Sequence, residues 1–121
     1  MWFTDATIAF VKETIANLEN TKKENAKLEE KLHYYERKSN QCYILVDEMP
    51  GDLRKSLYVS IEPDEDTQKP VLLDEALRIL CKRVNEYTEF LELGKKREEL
   101  IADLLAKLTD ANPGILDEIK D

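Results

Sequence analysis

Residues 4–38 read TDATIAFVKETIANLENTKKENAKLEEKLHYYERK and contain no Gly and no Pro. The stretch predicts one uninterrupted helix, on the order of 50 Å long at the helical rise. Its start is marked by Thr4, a good N-cap, by Asp5 near the positive helix end, and by Phe3, placed to staple against Ile8. A helix of that length cannot bury an apolar stripe against itself, so a second long element has to lie alongside it.

A heptad register runs through Val11, Leu18, Asn25 and Leu32 at one seam position and through Thr14, Thr21, Leu28 and Tyr35 at the other. Ile8 and Ile15 flank it. The stripe is weak between Glu19 and Lys27, where Ala26 is the only apolar side chain and charges alternate in sign. Asn25 is read as a polar seam residue of the kind that fixes register and oligomeric state; the alternative has it facing water.

After 39–41 the segment Cys42-Tyr43-Ile44-Leu45-Val46-Asp47 is rich in aromatic and β-branched residues and reads as a strand. Met49-Pro50-Gly51-Asp52 signals a turn, and Leu57-Tyr58-Val59-Ser60-Ile61 alternates as a second strand. The expectation is a β-hairpin over 42–61, with Cys42, Ile44 and Val46 on the same face as Leu57, Val59 and Ile61. Residues 62–72 are expected as an acidic loop, and Val71-Leu72-Leu73 at its junction with the next element is either a short strand or the entry to the next helix.

A second helix over 73–108 follows, with Asp74 as its candidate cap and a 109–121 tail after Asn112-Pro113-Gly114. Its seam is Leu73, Leu77, Leu80, Val84, Tyr87 and Leu91, continuing through Gly94, Glu98, Ile101, Leu105 and Leu108. The phase survives Gly94, which points to one helix with a weak point; a break at Gly94 is the alternative. Folded back antiparallel, Leu32 falls near Leu80, Leu28 near Val84, Asn25 near Tyr87 and Leu18 near Gly94. The expected fold is therefore α+β, mainly α. Two long helices form an antiparallel coiled-coil-like hairpin flanking a central β-hairpin, in a single oligomeric domain. Oligomerisation is expected because Phe90, Leu93, Leu100 and Leu104 lie beside the second seam, not on it.

The 121 residues carry a net charge of −8. Residues 4–38 are neutral, whereas 39–72 and 73–121 carry −4 each. This balance argues against gripping nucleic acid or anionic lipid and for meeting a basic surface. No apolar run reaches the length of a membrane span and no leader pattern is present, so a cytoplasmic protein is expected (host cytoplasm, if of phage origin). Cys42 and Cys81 are expected to be reduced and buried.

Chemistry-bearing patterns are sparse. His33 is the only histidine, and a Cys42–His33 pair has no supporting Asp or oxyanion motif. No Gly-rich phosphate loop occurs. Asp64, Asp66, Gln68 and Glu75 match places in a calcium loop, but Lys69 stands where the sharp turn requires Gly. No enzymatic activity, cofactor or metal is expected. The partner-contact candidates are the acids around the β segment: Asp47, Glu48, Asp52, Glu62, Asp64, Glu65 and Asp66. The seam candidates are Val11, Leu18, Asn25, Leu28, Leu32, Leu77, Leu80, Val84, Tyr87 and Leu91.

The order helix, hairpin, helix over nearly the whole chain resembles the smaller class of prefoldin subunits. The resemblance implies antiparallel coiled-coil hairpins whose β segments assemble a hexameric platform that holds unfolded clients. Gly94 and the leucine-rich stretch after it depart from the regular pattern of those tentacles. The first functional expectation is a non-enzymatic, self-associating protein–protein interaction module. The alternatives are a small acidic inhibitor of phage anti-defence type, occupying a basic nucleic-acid site on a target protein, and a prefoldin-like holdase subunit.

Overall fold

The computed structural model describes residues 3–62 and 69–119. Two long helices dominate it: α1, Asp5–Glu48, and α3, Leu73–Ala111. Between them lie the short helix α2, Gly51–Arg54, and strands β1, Tyr58–Val59, and β2, Val71–Leu72; α4, Ile115–Ile119, follows α3. The chain divides into two compact units, Met1–Lys27 with Leu91–Asp121, and Leu28–Phe90.

Thr4 caps α1: its hydroxyl oxygen accepts the Thr7 backbone N–H at 3.1 Å, satisfying one of the free amides of the first turn. The helix does not end at Lys38. Residues 42–47, expected as a strand, lie in its last two turns. The 3–4 spacing that starts at Val11 continues through Ser39, Cys42, Val46 and Met49, and no helix breaker appears before Pro50. Ser39 and Cys42 are buried on that seam while Tyr43 and Ile44 are exposed. Helical continuity and burial therefore override the local β preference. The 42–61 hairpin is corrected accordingly: β1 pairs antiparallel with β2, Tyr58 opposite Leu72 and Val59 opposite Val71. Pro50 then sits at the start of α2.

The second unit holds the main apolar core. Tyr35, Cys42, Ile61, Leu73, Ala76 and Leu80 are buried together, with Leu45, Val46, Leu57, Val59, Leu77, Val84 and Tyr87 packed around them. Lys31 and Tyr35 on α1 both meet Tyr87, and Tyr43 meets Cys81, so numbers fall along α3 as they rise along α1. The helices there are antiparallel. Asp74 lies inside the first turn of α3, where its charge suits the helix dipole, and does not cap it. Its carboxylate is 3.7 Å from Arg54 Nε.

In the first unit Val11, Thr14, Thr21, Asn25, Leu91 and Ile115 are buried. Thr14 returns its hydroxyl proton to the Phe10 carbonyl at 2.9 Å, which lets a polar residue occupy a buried seam position. α3 passes through Gly94 without a break. At its end Asn112 Nδ2 donates to the Leu108 carbonyl at 2.8 Å, and Gly114 takes φ +86°, a left-handed conformation that reverses the chain into α4.

Gly94 has a specific neighbour. Asn25, only 7% exposed, lies against it: a Cβ at Gly94 would overlap Asn25 Oδ1 and come within 3.0 Å of Asn25 Cγ. Asn25 Nδ2 donates to Glu98 Oε1 at 3.2 Å. The expected pairing of Asn25 with Tyr87 and of Leu18 with Gly94 is thus corrected. Asn25 meets α3 one heptad further along than Tyr87. A heptad seam looks alike to itself after a slip of seven residues, so the stripe alone leaves that choice open. The fit of Asn25 into the notch at Gly94 selects this alignment locally.

Candidate interaction surface

On α3 the first-unit seam toward α1 runs through Leu91, Gly94, Glu98, Ile101, Leu105 and Leu108. Leu93, Leu100 and Leu104 share a second face, about a quarter-turn around the helix. They are 64, 69 and 42% exposed. Helical geometry forces this outcome: a stripe a quarter-turn off the seam cannot turn inward without rotating the seam outward. Phe10 and Leu116 are further exposed apolar residues of the same unit.

In the second unit the exposed apolar residues are Tyr43, Ile44, Leu53, Tyr58, Leu72 and Phe90. Tyr58 and Leu72 are a cross-strand pair, so they share one face of the two-stranded sheet. Tyr35, Tyr87 and Phe90 form successive ring contacts at 5.4 and 5.7 Å between centroids.

The acidic candidates separate when placed on the structure. Asp47 and Glu48 are exposed in the last turn of α1, and Asp52 is exposed in α2. Glu62 is directed inward: it accepts the Tyr35 hydroxyl at 2.8 Å and lies 3.5 Å from Arg83 Nη2. It therefore anchors its own segment to the helices instead of joining an open acidic patch. Asp64, Glu65 and Asp66, and the calcium-loop pattern with Gln68, fall outside the described residues. Among the described residues no group of three or more His, Cys, Asp or Glu is placed to hold a metal ion. No described helix is long and apolar enough to cross a membrane.

Of the seam candidates, Val11, Asn25, Leu80 and Leu91 are buried, and Leu18, Leu28, Leu32, Leu77, Val84 and Tyr87 are half-buried. His33 is exposed, with carboxylate oxygens of Glu29 and Glu36 each 3.8 Å from a ring nitrogen. Cys42 is buried, and burial pushes its thiol upward from the ordinary range. Cys81 departs from expectation: it is exposed, with its sulfur 3.8 Å from the Tyr43 hydroxyl. It lies next to Leu80, the seam residue, and so falls off the buried face.

The Tyr35–Glu62 contact leaves no signal in the sequence, because it joins two residues 27 positions apart on unlike elements. Burial, then the hydrogen bond to the Glu62 carboxylate, hold the Tyr35 phenol well above the ordinary tyrosine value of about 10. The unfolded chain therefore loses this proton first. Stability attributable to Tyr35 should be intact below about pH 10 and fall as pH rises beyond it. In denaturant titrations between about pH 8 and 11, Tyr35→Phe is expected to flatten that alkaline loss. An unchanged slope would remove Tyr35 as its source.

No protein-family model, no curated protein and no solved structure matches this chain. The prefoldin resemblance thus stands on the order of elements alone, here with strands of two residues each.

Proposed function

We propose that this chain is a non-enzymatic, self-associating protein–protein interaction module, in which the helices form a scaffold and an apolar face of α3 meets another chain. The observation that carries this reading is the exposed row of Leu93, Leu100 and Leu104. Burying a leucine side chain is worth about 1.5–3 kcal/mol, and three on one face make contact with another chain favourable. Such a face needs a partner of matching shape, which a second helix provides.

The test is molar mass in solution by light scattering over a concentration series, for the wild type and for Leu100→Asp. The expected result is a discrete oligomer for the wild type and a monomer for the variant, because the charged side chain removes apolar burial from the centre of the face and its desolvation opposes contact. A wild type that stays monomeric at every concentration would sink the reading.

A second reading, the acidic inhibitor, is favoured by Asp47 and Glu48. They stand at the negative end of α1, whose last turn has no basic residue, so the helix dipole disfavours them there. Charges kept at an unfavourable place suit a surface that meets a basic partner. Binding to a basic nuclease or DNA-binding protein that weakens with added salt would support this reading. Suppressed aggregation of unrelated unfolded proteins would instead point to the holdase.

A further inference from the structure

The exposed row on α3 has the spacing of a coiled-coil seam. Leu93, Arg97, Leu100 and Leu104 repeat at 4-3-4, and Arg97 is exposed like the leucines. On one side the row is bounded by Gly94, Ile101 and Leu108, which belong to the seam with α1. On the other side a free row recurs every seven residues and includes Lys96 and Asp103, both exposed. At ~1.5 Å per residue these two lie roughly 10 Å apart along one helix, too far to pair with each other. Among the described residues neither forms an ion pair within the chain.

We infer that this face of α3 docks antiparallel on the same face of a second copy of the chain, about a two-fold axis passing between Arg97 and Leu100. The inference rests on the self-association proposed above and specifies its surface and register. The axis puts Leu93 opposite the second copy's Leu104, and Arg97 opposite its Leu100. The Arg97 stem covers that leucine while its guanidinium reaches the rim. The same axis brings Lys96 to within ~3 Å, along the helix direction, of the second copy's Asp103 on the same flank, within reach of the lysine side chain, and symmetry repeats the pair.

Charge complementarity selects both occupant and orientation. In an antiparallel pair the free row faces its own copy, lysine to aspartate twice over. In a parallel pair it would face the flank already taken by the α1 seam, where Ile101 offers no charge. The next residues outward in the row, Glu89 and Asp110, are both acidic, which confines the contact to the four central layers.

The experiment is a dissociation constant by sedimentation equilibrium for the wild type, Lys96→Asp, Asp103→Lys and the double variant. Both sites are exposed, and circular dichroism checks that each variant folds. Each single reversal is expected to weaken self-association about tenfold, because two exposed attractions become two repulsions. The double variant should return to within about threefold of the wild type. An equimolar mixture of the two single variants should associate with each other as tightly as the wild type does with itself. If the wild type associates and neither reversal matters, another face forms the interface; this docking is overturned while the self-association reading stands. Weakening by both reversals without rescue in the double variant or the mixture also overturns it. A monomeric wild type overturns both.

Discussion

Gly94→Ala is expected to destabilise the protein by about 1 kcal/mol, although the same change on an open helix surface stabilises by about that amount. The sign reverses because the added Cβ would occupy the space of the Asn25 amide. To admit it, Asn25 must swing away, losing its bond to Glu98 and leaving a buried amide without its partner, at a cost of about 2 kcal/mol. In an Asn25→Ala background the obstacle is gone, and Gly94→Ala should stabilise by about 1 kcal/mol. Urea denaturation of the four proteins in this cycle measures the coupling, expected near 2 kcal/mol. A Gly94→Ala that stabilises in both backgrounds would show that Asn25 yields freely and that the notch does not select the alignment.

Leu80→Ala should lower stability by about 3 kcal/mol, which for a chain of this size shifts the thermal midpoint by roughly 10 °C or more. Leu80 is fully buried in the cluster with Tyr35, Cys42, Ile61, Leu73 and Ala76, so its truncation removes apolar burial and leaves a cavity. Leu100→Ala removes the same atoms from α3 at an exposed position. It should change the stability of the isolated chain by less than about 0.5 kcal/mol. Calorimetry of both variants at a concentration low enough to keep the chain dissociated tests the contrast. Equal losses for the two would mean that the row at Leu93, Leu100 and Leu104 is covered within the chain, and the interaction surface would lose its basis.

Much of the architecture was legible because long helices announce themselves by spacing. The absence of Gly and Pro from residues 4–38, the Thr4 cap and the two seams foretold two long helices, and Thr14, Thr21 and Asn25 lie buried on the positions the register assigned. The surplus stripe was legible too, since a residue a quarter-turn from a seam is outside it whatever the partner. Other features read differently in three dimensions. The run at 42–47 has the composition of a strand, yet the 3–4 spacing continues through Ser39, Cys42 and Val46, and the segment is helical. The acidic residues looked like one patch, whereas Glu62 turns inward to Tyr35 and Arg83.

The sequence by itself determined which residues face inward along each helix, because that follows from local periodicity. Only the tertiary structure decided which turn of α3 lies against Asn25. Seam positions repeat every seven residues, so alignments one heptad apart bury the same kinds of side chain and differ little in apolar area. The decision fell to a contact that does not repeat: one asparagine, one glycine without a Cβ, and a glutamate one turn on to take the amide proton.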